Sequence, residues 1–291
     1  MPELPEVETV RAGLARLLPG QVIADVTHDH DKSFPNAPAD VRQFLVGASV
    51  IDVRRRAKVL MIDLSSEYTL VIHLKMTGQL VFDGAHEHFG AGHPSTSLVG
   101  KLPDKSTRVT LTFAGGAKLF FNDQRKFGWM RLMPTIEVPN IDFMKKVGPE
   151  PLEPDFTWQM LRDRLLRRKN SNIKAALLDQ TVIAGIGNIY ADESLWGAKI
   201  HPNTLVKDVP TAKLRVLHQA IVDVLRLSID KGGSSNQTYV DAEGNKGSYM
   251  QFANVFRREG QTCPRCGTVI EKLRVAGRGT HICPHCQRVK K

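Results

Sequence analysis

The four cysteines of this chain lie near its C-terminus in two pairs with the same internal spacing. Cys263-x2-Cys266 and Cys283-x2-Cys286 are separated by 16 residues. Two such pairs place four thiolates around one tetrahedral ion and leave no open coordination position for catalysis. The spacing therefore predicts one structural Zn²⁺ site in a C-terminal hairpin. A redox-active cysteine pair is the alternative, which two pairs at this spacing disfavour.

The chain of 291 residues has a formal net charge of +10. This excess favours a polyanionic partner, with nucleic acid first and an acidic membrane surface second. A basic surface without a nucleic-acid role is the remaining alternative. Residues 257–291 hold nine Lys and Arg against two Glu, so the cysteine hairpin is predicted to bind phosphates. The absence of an apolar leader or a long apolar run predicts a cytoplasmic protein without a membrane anchor.

The N-terminal segment combines a reactive group with the start of a helix. If Met1 is removed, Pro2 presents a secondary amine, and α-amines titrate near pH ~8 and are nucleophilic at neutral pH. Condensation of such an amine with a sugar carbon gives a cationic iminium, which favours elimination, and Glu3 stands beside it as a proton donor or acceptor. Apolar residues at helical spacing over 7–18, followed by Gly20, predict a helix. The alternative is a short leader without chemistry.

Short strands and turns are predicted from about residue 22 to residue 132. Apolar runs at 60–64 and 70–74, and again at 109–113 and 119–121, resemble two hairpins. Many short strands predict an antiparallel sandwich or barrel. Residues 84–101 are rich in glycine, histidine and serine and are predicted to form a loop. A metal site is not favoured there, because no carboxylate or cysteine pattern accompanies its histidines, His86, His88 and His93.

The second half of the chain is predicted to be helical up to the cysteines. Five prolines without periodicity between Pro134 and Pro154 indicate a linker. Helical patterns follow over 156–168, 173–179, 189–196 and 212–229. A polar, glycine-rich loop is predicted over 232–246, before the cysteine hairpin.

Several short motifs, in this order along the whole chain, resemble those of bacterial formamidopyrimidine-DNA glycosylases. They are PELPEVET at 2–9, HLKMTG at 73–78, DQRKFG at 123–128, GPEPL at 148–152, GIGNIYADE at 185–193, and Gly277-Arg278 with the four cysteines. The resemblance implies an α+β multidomain fold with DNA bound between its parts. These parts are an N-terminal catalytic antiparallel β-sandwich flanked by helices (1–133), a linker (134–154), a helix–two-turn–helix domain with a lesion-recognition loop (155–250) and a zinc finger (251–291).

The resemblance also implies the role of each site residue. Pro2 is expected to attack C1′ of a damaged nucleotide, and Glu3 to move protons during base loss and β,δ-elimination. The residues expected to contact phosphates in support of catalysis are Lys58 and Arg278. Further support is expected from Glu6, near the catalytic centre, and from Lys174, which helps to bind the lesion or its phosphates. The start of a helix at Asn188 is expected to bind phosphate, as is His73.

A glycosylase must extrude its target nucleotide from the duplex, and protein side chains are expected to fill the space left behind. By resemblance these side chains are Met76, Arg125 and Phe127. The lesion-recognition loop begins with Gly232-Gly233-Ser234-Ser235, and its later residues match the family less closely. The expected substrate is double-stranded DNA containing oxidised purines, 8-oxoguanine or formamidopyrimidines, and the protein is expected to be a nucleoid-associated monomer.

Two alternatives stay open at this point. An endonuclease-VIII-like glycosylase prefers oxidised pyrimidines and shares the Pro-Glu start. It typically has glycine where this chain has Leu4, which favours the oxidised-purine reading. A non-enzymatic zinc-ribbon DNA-binding protein is the second alternative, and it would need neither Pro2 nor Glu3.

Overall fold

The computed structural model describes residues 2–93, 95–233 and 249–288. These residues divide into two units, one of residues 2–145 with 231–233 and one of residues 146–230 with 249–288. No helix among the described residues is long and apolar enough to cross a membrane.

The first unit opens with a helix and continues mainly as strands. Its elements are α1 (Leu4–Leu17), β1 (Ile23–His28), α2 (Pro38–Asp40), a π-helical turn (Val41–Leu45), β2 (Val50–Arg56), β3 (Val59–Leu64), β4 (Tyr68–His73), β5 (Gly78–Asp83), β6 (His88–Gly92), a 3₁₀ turn (Thr96–Leu98), β7 (Thr107–Phe113), β8 (Lys118–Asp123), β9 (Trp129–Pro134), a 3₁₀ helix (Thr135–Asn140) and α3 (Asp142–Lys146).

Two antiparallel sheets form a sandwich in this unit, which confirms the predicted fold class. One sheet has the order β1-β7-β8-β5-β6 and the other β2-β3-β4-β9. The predicted hairpins are present as β3–β4 and β7–β8. Alternate residues such as Val109, Leu111 and Phe113 point to the shared core, where Leu60 and Ile62 from the other sheet and Leu14 from α1 meet them.

The outer face of the four-stranded sheet is also buried. Val59 and Met61 of β3 point away from the main core and pack with Val138, Ile141 and Phe143. This explains why β3 is apolar without alternation, since a strand covered on both faces needs no polar side. Residues 135–146, which belong to the predicted linker, therefore form helical turns that cover this sheet.

The prediction of a loop over residues 84–101 is wrong in part. Residues His88–Gly92 form β6, which pairs with β5 at the edge of the sheet. The two glycines hide this strand from a propensity argument, because glycine has low β-propensity. What places the strand is packing: Phe89 is buried, and a Cβ added to Gly13 of α1 would lie 2.0 Å from the Phe89 ring. Helix α1 can lie against β6 only because residue 13 has no side chain.

The second unit contains the predicted helices and the cysteine hairpin. Its elements are α4 (Trp158–Leu166), α5 (Ile173–Leu178), α6 (Asn188–Gly197), a 3₁₀ turn (Val206–Asp208), α7 (Thr211–Asp230), α8 (Tyr249–Phe252), β10 (Glu271–Val275) and β11 (Arg278–Ile282). Side-chain caps fix two helix starts, because Thr157 accepts from the N–H of Met160 and Asn172 from that of Ala175. The prolines, caps and apolar spacing of this region thus predicted its helices well.

Candidate active site and nucleic-acid interface

The first residues of the chain are held in the protein interior. Pro2 and Glu3 are both buried, and Glu3 is the N-cap of α1. Glu3 and Glu6 form a capping box, in which the backbone N–H of Glu3 donates to Oε2 of Glu6 at 2.8 Å. This bond fixes the backbone next to Pro2 and brings two carboxylates to one helix start. The same end of α1 is close to Gly233, where an added Cβ would lie 3.2 Å from Oε1 of Glu6.

An arginine connects α1 to the turn that carries Lys58. Nε of Arg55 donates to Oε2 of Glu8 at 2.8 Å, and its Nη1 donates to the carbonyl of Ala57 at 2.9 Å. Ala57 has φ 52°, which lets β2 turn tightly into β3. Lys58 follows it and is buried, with 7% of its surface exposed. Sequence reasoning missed Arg55, because only the fold brings residue 55 next to residue 8.

The imidazole of His73 accepts a backbone hydrogen bond and has a strongly lowered pKa. Burial, followed by the positive charges of Lys75 and Lys58, lowers the pKa of His73 to about 3. Its Nδ1 accepts from the N–H of Lys75 at 3.0 Å, so the ring proton lies on Nε2. At neutral pH the imidazole can thus donate to a phosphate oxygen without adding charge. Lys58 and His73 flank the same strand end, since Val59 pairs with His73.

Met76, Arg125 and Phe127 lie on two loops that the sheet brings together. Gly78 at the start of β5 pairs with Asp123 at the end of β8. The segment before Gly78, which carries Met76, is therefore a neighbour of the segment after Asp123, which carries the other two side chains. Phe127 is 53% exposed, which is unusual for a phenylalanine, and the Arg125 guanidinium lies 4.8 Å from its ring centroid. Met76 is half-buried. The three side chains thus occupy one region of the first unit.

Asp123 is a residue of this region that sequence reasoning missed. Its side chain is fully buried and accepts from the N–H groups of Arg125, Phe127 and Gly128 and from the hydroxyl of Thr77. The signal was present in the sequence, because an aspartate before a short polar segment that ends in glycine is typical of a turn capped by the Asp side chain.

In the second unit, Asn188 is bonded to the residue that follows Arg278 in the hairpin. Asn188 is the first residue of α6, as predicted, and its Nδ2 donates to the carbonyl of Gly279 at 3.0 Å. Ala276 and Gly277 have φ 49° and 74° and close the turn between β10 and β11, which leaves Arg278 exposed. The helix start and the arginine are both expected to bind phosphate. The start of α6 is bonded to Gly279, the residue next to Arg278 in the chain.

Lys174 is buried and bonded to other groups of the second unit. None of its surface is exposed, and its Nζ donates to Oδ1 of Asp192 at 2.6 Å and to Oγ1 of Thr280 at 2.7 Å. A third bond, to the carbonyl of Gly279, is 3.3 Å long. The ammonium group therefore orients the turn that carries Arg278. A direct contact of Lys174 with the lesion or its phosphates stays a prediction. Ser234 and Ser235 lie outside the described residues.

The four cysteines converge as their spacing predicts. Their sulfur atoms all lie within 4.8 Å of one another. Among the described residues this is the cluster of potential metal ligands that is found, and His86, His88 and His93 are not part of such a cluster. The indole N–H of Trp196 on α6 donates to Sγ of Cys263 at 3.4 Å. Four soft thiolates at tetrahedral spacing suit Zn²⁺ without an open position. Such a site holds a hairpin in place and does not catalyse.

Three family models cover most of the chain. The formamidopyrimidine-DNA glycosylase N-terminal domain matches residues 1–130, and the H2TH domain of the same enzymes matches residues 147–240. The zinc finger found in FPG and IleRS matches residues 260–289. The cysteine cluster is therefore the site of one structural Zn²⁺, as predicted.

Similar proteins extend over the full length. Formamidopyrimidine-DNA glycosylase of Pediococcus pentosaceus is 40% identical over 287 residues, which cover 99% of each chain. A Lactococcus lactis FPG variant crystallised with Fapy-dG-containing DNA has a TM-score of 0.87 and 35% identity over 99% of this chain and 100% of that one. The same values hold for a complex of Lactococcus lactis Fpg with DNA containing an abasic site.

The sandwich, the helical unit and the zinc finger together define a DNA glycosylase of base excision repair. This chain belongs to the formamidopyrimidine-DNA glycosylase family, which confirms the resemblance inferred from its motifs.

The neutral state of His73 can be tested by the pH dependence of DNA binding. We expect His73→Gln to weaken binding by the same factor at about pH 5 and about pH 8, because an imidazole with a pKa of about 3 does not titrate between them. Fluorescence anisotropy with a duplex containing an abasic-site analogue measures this, with His86→Gln, at an exposed histidine, as control. A loss confined to low pH would mean that His73 binds as a cation.

Zinc removal should be visible from Trp196. We expect one zinc per chain by atomic absorption, and a change in tryptophan fluorescence upon chelation, because the Trp196 indole is bonded to a zinc-binding sulfur. Cys283→Ser should lower the zinc content and DNA affinity together. Pro2→Gly is the control and should retain zinc. Full zinc content in Cys283→Ser would contradict the four-thiolate site.

Proposed function

We propose that this enzyme is a bifunctional glycosylase and AP lyase that excises oxidised purines from double-stranded DNA through its N-terminal proline. The observation that carries this proposal is the burial of Pro2 at a helix start shared by the Glu3 and Glu6 carboxylates. A leader without chemistry has no need of such a place. The abasic-site DNA bound by the similar Lactococcus lactis enzyme agrees with lyase chemistry.

The proposed reaction begins with attack of the Pro2 nitrogen on C1′ of the damaged nucleotide. The bond between C1′ and the base breaks, and the base leaves with a proton. The C1′–O4′ bond then breaks as O4′ takes a proton, and the nitrogen lone pair forms the C=N⁺ bond of an open-chain iminium. The resulting iminium draws electrons from the adjacent C2′–H bond, so loss of that proton expels the 3′ phosphate. A second elimination expels the 5′ phosphate, and water then releases the sugar fragment from Pro2.

Glu3 is the proposed proton carrier for these steps. It is adjacent to Pro2 in the chain and buried, and a carboxyl group in such a place can protonate the sugar ring oxygen and later accept a proton. Glu6 is proposed to support the site by holding the Glu3 backbone at 2.8 Å. Both roles require that Met1 is removed, because an acylated proline nitrogen is not nucleophilic.

Each unit supplies proposed phosphate ligands. In the first unit these are the Lys58 ammonium and the neutral Nε2–H of His73, which lie beside the same strand end. In the second unit they are Arg278 and the start of α6 at Asn188, where backbone N–H groups and the helix dipole favour an anion. Each unit thus offers one cation and one neutral donor to phosphate oxygens.

Met76, Arg125 and Phe127 are proposed to fill the duplex where the nucleotide has left it. The exposed Phe127 ring is a suitable wedge between base pairs, and the guanidinium stacked beside it can donate to the orphaned base. A non-enzymatic zinc-ribbon protein has no use for an exposed aromatic ring next to an arginine. This region therefore favours the enzyme over that alternative.

Lesion preference is the finer part of the proposal. The loop expected to read the lesion starts at Gly232-Gly233, and Gly233 lies against Glu6 at φ 85°. The described start of this loop thus lies beside the helix start that carries the proposed catalytic carboxylates. Leu4, which favours oxidised purines over the pyrimidines of the endonuclease-VIII-like alternative, is fully buried and so acts through packing. We expect the enzyme to act as a monomer on chromosomal DNA in the cytoplasm.

Trapping of the iminium tests the proposed nucleophile. We expect borohydride to yield a covalent adduct between the wild-type enzyme and an 8-oxoguanine duplex, and much less adduct with Pro2→Gly. The primary amine of glycine gives an imine that is neutral unless it is protonated, whereas the secondary amine of proline gives an iminium that is cationic as formed. Mass spectrometry of the intact protein must show loss of Met1. Pro2→Gly should retain DNA affinity. Absence of an adduct with correctly processed wild-type enzyme would exclude the mechanism. A higher adduct yield on a parallel duplex containing 5-hydroxycytosine than on the 8-oxoguanine duplex would favour the endonuclease-VIII-like alternative.

The salt dependence of binding tests the phosphate contacts. The logarithm of the association constant should fall with log salt by roughly 0.9 for each phosphate neutralised. Arg278→Ala should reduce this slope by about one unit, because it removes one cation from a phosphate. Arg42→Ala, at an exposed arginine of the first unit, is the matched control and should leave the slope unchanged. An unchanged slope in Arg278→Ala would remove Arg278 from the contact set.

A further inference from the structure

We propose that Asp123 is a positioning residue that holds the loops of Met76, Arg125 and Phe127 as one preformed wedge. This inference rests on the proposed function, since it concerns how the duplex is entered. It assigns to Asp123 no part in the chemistry at Pro2.

Four hydrogen-bond donors converge on the carboxylate of Asp123. Oδ2 accepts from the N–H of Phe127 at 2.8 Å and from that of Gly128 at 2.7 Å. Oδ1 accepts from the N–H of Arg125 at 3.2 Å and from the hydroxyl of Thr77. Three of these donors belong to the loop after β8 and one to the loop before β5. A single side chain therefore both shapes the loop of Arg125 and Phe127 and ties it to the loop of Met76.

The backbone of both loops contains a residue in an unfavourable conformation. Lys75 has φ 51° and Lys126 has φ 58°, both in the left-handed region that non-glycine residues rarely adopt. One such residue lies next to Met76 and the other between Arg125 and Phe127. Neither turn is favoured by its own sequence, so the loops need an outside constraint to stay in this shape. The bonds to Asp123 supply that constraint.

The backbone of Asp123 is itself held by hydrogen bonds. Its N–H donates to the carbonyl of Ser106 at 2.7 Å, and its carbonyl accepts from Nε of Arg108 at 3.0 Å. Arg108 is buried, with 4% of its surface exposed. On the other side, an added Cβ at Gly128 would lie 2.6 Å from the Phe121 ring and 3.2 Å from Oδ2 of Asp123. The close approach of Gly128 to the carboxylate therefore depends on a residue without a side chain.

The consequence is a wedge that is ordered before DNA arrives. Ordering a loop during binding costs conformational entropy, which a preformed loop avoids. This saving matters only where a stacked nucleotide has to leave a duplex, since a single strand offers its abasic site without unstacking. Asp123 should thus promote reaction with duplex DNA and have no effect on single-stranded DNA.

Asp123→Asn tests this directly, because it keeps the shape of the side chain and turns one acceptor oxygen into a donor. We expect the rate of borohydride trapping on a duplex abasic site to fall about tenfold or more, as for lost hydrogen bonds to a charged acceptor. The rate on the same abasic site in a single strand should stay within about twofold of wild type. A 2-aminopurine placed next to the site should show reduced unstacking in the duplex.

Matched variants separate positioning from folding. Asp25→Asn makes the same charge change at an exposed residue of β1 and should leave both rates unchanged. Thr77→Val removes the two bonds that the Thr77 hydroxyl makes to the other loop, one donated to Asp123 and one accepted from the N–H of Arg125 at 3.1 Å, and leaves the other bonds of the Asp123 carboxylate in place. It should reproduce the duplex-specific loss to a smaller degree. In a variant that also carries Arg125→Ala, the Asp123→Asn change should cost less than it does alone, because the group that it positions is gone.

The outcomes are distinct. An unchanged duplex rate in both Asp123→Asn and Thr77→Val would overturn the inference. Equal losses on duplex and single strand would overturn it too, because they indicate a general structural effect. Absence of any adduct with wild-type enzyme on either substrate would instead refute the proposed function.

Discussion

The buried ion pair of Lys174 and Asp192 holds the proposed phosphate ligands of the second unit in one place. Neither side chain has any exposed surface. Removal of one partner from such a pair typically costs about 3–5 kcal/mol, because it leaves an uncompensated charge in the interior. Here the Lys174 ammonium also donates to Thr280 and Gly279, which come directly after Arg278. The position of Arg278 thus depends on a charge pair in the interior of the second unit.

Helix α6 extends this constraint to the zinc finger. Its first residue, Asn188, is bonded to the carbonyl of Gly279, and Asp192 accepts from the N–H of His281 at 2.9 Å. Glu193 accepts from the successive N–H groups of residues 254–256, and Trp196 donates to a cysteine sulfur. The helix is therefore bonded to the zinc finger along its whole length. A structural metal at one end of α6 can in this way fix the anion-binding start at the other.

The sequence predicted those features that depend on local spacing. Helix starts, the two hairpins, the cysteine cluster and the place of Asn188 at the start of α6 all follow from residues a few positions apart. What it could not predict depends on distant partners. The edge strand β6 exists because Phe89 fits against Gly13, and the burial of Lys174 requires residues 192 and 280 beside it. The carboxylate of Asp123 similarly needs Thr77, which lies 46 residues away in the chain.

Buried carboxylates are the common element of these distant links. Burial raises the pKa of Glu193, and the bonds donated by the backbone N–H groups of residues 254–256 and by the amide of Asn254 oppose that rise. The carboxylate of Asp123 likewise accepts hydrogen bonds from backbone N–H groups. A carboxylate can accept several such bonds at once, which suits it to fix irregular backbone. Each carboxylate thus fixes a segment of irregular backbone, the loop of Arg125 and Phe127 in the first unit and residues 254–256 ahead of the cysteine hairpin in the second.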